Sequence, residues 1–475
     1  MNHRTLAERI KREKIEYLDI KFTDLLGEMR HVTLPAARAG RTLFEKGVGV
    51  DGSSLTGFRK VKEGDMLLIP DSATAFLDPF FERKTLSFLG NVMEAGFEGV
   101  GKGLEPYTRD PRFVARKALD HLRSTGIADD CVFGPEFEFY LFDEVHFQNL
   151  PHHSFFRVDS PEAEWNAGDP EGSGSGQIIR HKGGYHIAPP RDSNCPVREY
   201  ICSILERCGV SVKYHHHEVG GVSQSEIEIV MEPLLASADH SVVTKYVVRN
   251  AAVSMGKSAT FMPKPMHGEP GSGWHLHQYL TKRGRSIFYS RTSDLHMNET
   301  GLYYIGGLLR HASSLLAFTN PSTNSYKRIV SGFEAPVRAT YSVGDRTAAI
   351  RIPGYQKDPL TMRVEFRPPD GTSNPYLAMS AILMAGIDGI RKKIDPGKPV
   401  KGGGAAGAVD MPGVGLLPRS LDEALDALEE DHEYLTGAGV FTADLIRTWI
   451  NVKREEIAGV DTRPHPWEYQ LYYNL

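Results

Sequence analysis

An α+β protein of two unequal domains is the fold that this sequence predicts, and three observations predict it. The first is length, because 475 residues exceed what one compact core accommodates. The second is a set of four stretches that alternate aliphatic with ionisable residues: GPEFEFYLFD (134–143), SQSEIEIV, GWHLHQYL and MRVEFRP. Each reads as a strand with one apolar and one charged face. The third is an N-terminal unit of mixed helix and strand that breaks down into Gly, Pro and polar residues over 96–111. The expected division is 1–104 and 105–475.

Taken in order, residues 3–14 have helical spacing, and EYLDIKFTDLLGEMRHVTL gives two strands about a turn at Leu26-Gly27. GVGVDGSSLTGF (47–58) is a glycine- and serine-rich loop carrying Asp51 beside Ser53 and Ser54. Asp65 and Asp71 flank a further strand, MLLIP. Asp110 as N-cap, Pro111 in the first turn and Gly126 beyond the end delimit a helix.

The 134–143 strand that follows sets Glu136, Glu138 and Tyr140 against Phe137, Phe139 and Leu141. An isolated Glu-x-Glu is ordinarily a solvated strand face. Here the pattern recurs, with Glu226 and Glu228 opposing Ile227 and Ile229, His275, His277 and Tyr279 opposing Trp274, Leu276 and Gln278, and Arg363, Glu365 and Arg367 opposing Val364 and Phe366. In one sheet these strands would gather carboxylates, imidazoles and guanidiniums on a single face and pack helices against the other. Crowded carboxylates call for a cation. The predicted site therefore binds metal and anions.

EGSGSG (171–176) reads as a flexible loop, and HKGGYHIAPP places Tyr185 between glycine and proline punctuation. The triple histidine before Glu218 lacks HExxH spacing, and consecutive strand residues point to opposite faces, so a supporting role is expected for it. Five arginines, Arg328, Arg346, Arg351, Arg363 and Arg367, fall within a short span and suit a pair of anionic substrates. Neither Gly96…Gly101-Lys102-Gly103 nor Gly256-Lys257-Ser258 completes a Walker motif, and no G-x-G-x-x-G follows a strand. Beyond the arginines, a helix opens at Asn374-Pro375, KGGGAAGAV is loop, and Ser420 with Glu423 begins an acidic helix as a capping box. The aromatic end PHPWEYQLYYNL is expected to pack on a neighbouring subunit.

Composition narrows the function class. A net charge of -5, from 55 basic and 60 acidic residues, argues against a nucleic-acid or anionic-membrane binder and for small-molecule chemistry. No apolar run reaches the roughly 18 residues of a membrane span, and the opening segment lacks the apolar core of a signal peptide, so a cytoplasmic protein is expected. Its four cysteines form no C-x-x-C pair, and Cys202 and Cys208 read as part of a helix, so buried thiols are expected rather than bridges or zinc ligands.

GPEFEFYLFD, HHHEV with an acid eight residues beyond Glu218, FMPKP followed by GSGWHLH, NPSTNSYKR, GFEAP, and RVEFRPPD followed by NPYL resemble the type I glutamine synthetases. The resemblance runs from the DGSS loop to the closing PHPWEYQLYY. It implies a small N-terminal β-grasp domain and a catalytic domain with a curved antiparallel sheet flanked by helices, assembled as a dodecamer of two hexameric rings with shared active sites. It implies ligation of ammonium to the γ-carboxylate of L-glutamate with ATP, through a γ-glutamyl phosphate.

Two divalent cations, magnesium or manganese, are implied, one on Glu138, Glu218 and Glu226, the other on Glu136, His275 and Glu365. Arg328 and Arg367 would grip glutamate with the backbone of Gly271. His277, Tyr279, Arg346, Arg351 and Arg363 would lie on the nucleotide side. Asp51, Tyr185 and Glu218 would receive ammonium, and Glu334 would shield the acyl phosphate. Pro270, Tyr279 and Leu360 stand where relatives carry Asn, Ser and Lys, departures that bear on the grip on substrates. The alternative is a γ-glutamyl ligase for amines or polyamines; an inactive homologue is opposed by the full set of metal ligands. The span from Asp395 to Pro418 holds no tyrosine, so control by tyrosine adenylylation is not expected.

Overall fold

The computed structural model describes residues 3–59, 64–94, 104–168, 176–330, 335–400 and 415–475. Two sheets organise the chain. The first is six-stranded, with Thr85–Glu94 at its centre, paired parallel to Tyr17–Thr23, which in turn pairs antiparallel to Met29–Pro35. The turn between its first two strands needs Gly27, which has φ 88 and lies so close to Asn374 that a side chain would collide with it. Asp65–Asp78 is a single strand of 14 residues, much longer than MLLIP, because a register shift between Asp71 and Phe76 absorbs the interruption after Pro70. The glycine-rich segment expected as loop begins as a short strand, Val48–Asp51, and continues as one 3-10 turn.

The second sheet has ten strands, with the path Val212–His217, Gln224–Ile229, Asp130–Phe142, Trp274–Lys282, Val364–Phe366, Ile350–Ile352 and Tyr341–Val343. All four stretches with an ionisable face therefore lie in one sheet, and antiparallel pairing joins each to the next. Phe137, Phe139 and Leu141 are buried on the opposite face, where both phenylalanines pack against Phe261 and Phe137 also meets Trp274. Helix Leu234–Ser254 packs on the Asp130–Phe142 strand, and helix Pro375–Lys392, most of whose residues are buried, packs in turn on that helix. The Pro111–Ser124 helix forms as expected, with the Asp110 carboxylate accepting from Arg112 N.

Ser420 caps the Leu421–Glu430 helix, yet Glu423 reaches back to Arg419 N rather than to Ser420, so the capping box is only half formed. The four cysteines are free; Cys131 and Cys208 are buried, and Cys208 lies just past the Cys195–Arg207 helix rather than within it. The closing Pro466–Tyr472 helix leaves Trp467, Tyr469 and Leu471 exposed on the chain. No described helix is long and apolar enough to cross a membrane. The expected loops at 171–176 and 401–409, and most of the boundary region 96–111, lie largely or wholly outside the described residues.

Several bonds tie the two sheets together. Tyr246 donates to Asp78 at 3.1 Å, Arg112 bridges Asp71 and Asp239, and Asn374 donates to the carbonyls of Asp24 and Leu25. Beside Asn374, Lys245 is buried and donates to the Ser373 carbonyl at 3.0 Å. Burial, helped by Arg249, pulls its ammonium from 10.5 down to about 7. An unfolded lysine keeps its proton up to its ordinary value, so between those two pH values the unfolded chain binds more protons and stability rises with pH. Lys245→Met is accordingly expected to raise the melting temperature more at about pH 7 than at about pH 9.5. An equal effect at both would show that the buried amine does not titrate there.

Candidate active site

Strand register builds the site. Glu138 of the Asp130–Phe142 strand faces Glu226, Glu136 faces Glu228 on one side and His275 on the other, and His277 faces Glu365 across the next pair. Side chains directly opposed in an antiparallel pair approach within about 5 Å, so the carboxylates meet unless cations intervene. At one end they do intervene. His275 Nδ1 and His277 Nε2 lie 3.1 and 2.8 Å from the two oxygens of Glu136. Glu365 accepts from Arg351 and, at 2.5 Å, from Arg367.

Burial alone would raise both carboxyls, yet His277 and His275 hold Glu136 well below the usual range, and Arg367 and His277 hold Glu365 below it. The second nitrogen of each ring is engaged by an arginine, His275 Nε2 by Arg328 at 3.2 Å and His277 Nδ1 by Arg363 at 3.4 Å.

The other end lacks such compensation. Burial, with the charges of Glu138 and Glu226, pushes Glu218 well above its ordinary value, and burial with Glu136 and Glu138 does the same to Glu226. Only His216 approaches both, at 3.9 and 3.6 Å. Three groups of potential ligand atoms result among the described residues, Glu136 with His275 and Glu365, Glu136 with Glu228 and His277, and His216 with Glu218 and Glu226, the atoms of each lying within 4.8 Å of one another. Glu138 lies 3.6 Å from His275 and accepts from Gly273 N at 2.7 Å. A buried carboxylate cluster with displaced proton affinity and mostly oxygen donors fits a hard divalent cation.

Of these side chains, all except Glu228, His277 and Glu365 line a cavity of about 430 Å³, which Arg328, Arg346, Arg351 and Arg367 line as well. Gly271 admits Arg328, because a side chain there would overlap the arginine and the Pro263 carbonyl. Tyr140 donates to Pro270 O at 2.7 Å and so fixes the segment that carries Gly271. Tyr185 lies at the cavity mouth, half exposed, its ring against His186 and His216.

Not every expected residue converges. Arg363 and His277 reach the site through Glu136 without lining the cavity. Tyr279 does not reach it: past His277 the strand leaves the cavity, and the ring packs in the hydrophobic core. Asp51 sits in the first sheet, exposed, its carboxylate accepting from Ser53 and Ser54 and remote from its own chain's cavity. Glu334 lies outside the described residues.

The triple histidine divides by face as alternation requires: His216 looks into the cavity, while His215 and His217 look behind it to Arg198 and Glu162. Sequence reasoning left Glu228 without a role and overlooked Lys213, whose ammonium lies 2.6 Å from it. Lys213 sits at the register irregularity between Val212 and Tyr214, so strand alternation gave no signal for the pair.

A sequence profile described as "Glutamine synthetase, catalytic domain" matches residues 108–472, and one described as "Glutamine synthetase, beta-Grasp domain" matches 14–95. The chain belongs to the glutamine synthetase family. It is 47% identical over 476 residues to the glutamine synthetase of Mycolicibacterium smegmatis, covering 98% of each chain. The glutamine synthetase of Mycobacterium bovis is likewise 47% identical, over 98% of this chain and 97% of its own. Among solved structures, Plasmodium falciparum glutamine synthetase superposes with a TM-score of 0.90 at 28% identity, over 100% of this chain and 99% of the other. Glutamine synthetases use ATP and divalent metal ions, which agrees with the donor set just described.

If Glu218 and Glu226 await a cation, adding manganese to the metal-free protein should raise its melting temperature through ligand linkage. The rise should shrink in Glu226→Gln, which removes one anionic donor. An undiminished rise in that variant would place the ion elsewhere.

Proposed function

We propose that the protein joins ammonium to the γ-carboxylate of L-glutamate at the expense of ATP, releasing glutamine, ADP and phosphate. The observation that carries this reading is the presence, in the lining of one cavity, of the carboxyls of Glu218 and Glu226, raised by burial and by neighbouring carboxylates, together with the guanidiniums of Arg328, Arg346, Arg351 and Arg367. Glu138, Glu218 and Glu226 would hold one divalent cation, and Glu136, His275 and Glu365 the other, magnesium or manganese. When bound, the cations neutralise the phosphoryl oxygens of the nucleotide.

Arg328 and Arg367, with the backbone of Gly271, orient glutamate. Arg346 and Arg351 face the transferring phosphoryl group, where guanidinium charge counts most because it grows in value as the phosphate becomes more exposed to attack. His277 and Arg363 fix Glu136 from the nucleotide side. The γ-carboxylate oxygen attacks the γ-phosphorus, the bond to ADP breaks, and γ-glutamyl phosphate forms. Ammonium, held by Glu218 and Tyr185, gives up a proton to a carboxylate, and the resulting ammonia displaces phosphate from the acyl carbon.

Asp51 is that base in this proposal, supplied by a second copy of the chain, since it lies outside its own cavity. A dodecamer of two hexameric rings, in the cytoplasm, accounts for this and for the exposed aromatic helix at the C-terminus. The small domain is taken to end near residue 104.

Two experiments test the proposal. Glutamate-dependent ADP release should be supported by ammonium and not by a panel of primary amines, and Glu138→Gln should lower it by at least about 100-fold with the fold intact. Preference for an amine would redirect the reading to that acceptor. Mixing Asp51→Ala with Glu365→Ala protomers should restore part of the activity in hybrid rings, and verified mixed assemblies without activity would remove the shared site.

A further inference from the structure

Behind the carboxylate strands lies a buried polar network that the reaction as proposed does not use. Glu162 is its centre. One oxygen accepts from both Ser193 N and Ser193 Oγ at 2.7 Å. The other accepts from Ser223 Oγ at 2.6 Å and faces His217 Nε2 at 3.3 Å. Asn194 and Ser160 close the group through Ser223. Glu162 and His217 are each about 1% exposed, so neither can exchange these partners for water.

His217 passes the constraint forward. Its Nδ1 donates to the main-chain oxygen of Glu218 at 2.6 Å, while Glu218 N donates to Gln224 O at 2.8 Å. Both main-chain ends of Glu218 are thus fixed, and Val219 N holds its carboxylate at 2.7 Å.

The same ring supports the Tyr185 loop. A side chain at Gly184 would overlap both the His217 ring and the Glu218 oxygen, so the loop lies directly on that hydrogen bond. His186 N donates to His217 O and Gly184 N to Val219 O. On either side of Tyr185, Lys182 and His186 hold φ of 56 and 53, the left-handed region that side chains avoid. Such strain persists only where the surroundings over-determine the backbone. Here the surroundings are His217 and what stands behind it.

We propose that Glu162 and His217 are positioning residues, which hold Glu218 and Tyr185 at a fixed spacing where ammonium meets the activated carboxyl. The inference rests on the reading of Glu218 as a metal ligand and of Tyr185 as an ammonium contact. Partners one shell removed from metal ligands typically change metal affinity by 10–100-fold when altered, which sets the scale expected here.

The test uses the full-length assembly, with Mn2+ alone as probe, followed by electron paramagnetic resonance, and steady-state kinetics in parallel. Glu162→Gln is nearly isosteric and is expected to fold as the parent does. It should weaken Mn2+ binding by roughly 10-fold and raise KM for ammonium by a similar factor, with KM for ATP nearly unchanged. His217→Asn places an amide N–H where Nδ1 stands and should largely retain both parameters, whereas His217→Leu should lose them at least as far as Glu162→Gln does. Parental Mn2+ affinity and ammonium KM in Glu162→Gln would overturn the inference, as would a fall in kcat alone. Glu218→Gln separates the two layers. If it leaves Mn2+ binding intact, the ligand assignment fails; if it weakens binding while Glu162→Gln does not, only the positioning role fails.

Discussion

Repulsion between carboxylates is the constraint on which this structure turns. The register of two antiparallel strands places Glu138 against Glu226 and Glu136 against Glu228, all largely removed from water. Like charges directly opposed are destabilising even on a solvated sheet, and burial enlarges the cost. The protein answers it unevenly. His275, His277, Arg351 and Arg367 surround Glu136 and Glu365, and Lys213 meets Glu228. Glu218 and Glu226 are left with one imidazole between them. Carboxyl groups without a cationic partner therefore collect at one end of the cavity, whose lining also holds Arg328, Arg346, Arg351 and Arg367. A site for cations and a site for anions follow from the same unequal pairing.

Such an arrangement holds only if the other face of the sheet does not move. A slip of one residue along the Asp130–Phe142 strand would bury Glu136 and Glu138 among Phe261 and Trp274 and turn Phe137 and Phe139 into the cavity. The aromatic packing and the ionisable face thus specify the same register, each penalising the slip that the other would suffer. Electrostatic precision at the front is maintained by apolar packing at the back, together with the Glu162 network where the chain leaves the sheet.

Legibility in the sequence followed the same division. Period-two alternation identified Glu136, Glu138, Glu226, His275 and Glu365 as one face, since side chains on a strand have no other freedom. It failed at Tyr279, which keeps the phase of His275 and His277 although the strand has by then passed the cavity; phase says which face, and only the tertiary path says what that face meets. It was silent on Glu162, Ser193 and Asn194, whose partners are joined across loops with no periodicity. The length of Asp65–Asp78 was hidden for a related reason: Pro70 and Asp71 read as punctuation, whereas a register shift carries the strand past them. Lys213 and Glu228 are separated by a turn, and their pairing depends on an irregular register at Val212/Tyr214 that no local pattern announces.

The position of Asp51 carries this reasoning from one chain to an assembly. Its carboxylate is satisfied by Ser53 and Ser54, so it is held still, and it is exposed, so its free side awaits something outside the chain. The small domain cannot swing it into its own cavity without breaking the bonds of Tyr246 with Asp78, of Arg112 with Asp71, and of Asn374 with the Asp24–Leu25 backbone. Breaking them would leave buried donors and acceptors without partners, at a cost of about 1–3 kcal/mol each. The rigidity that excludes Asp51 from its own site is what would let it enter a neighbour's at a fixed distance. If the site is shared as proposed, domain docking within each chain would be a geometric condition for it.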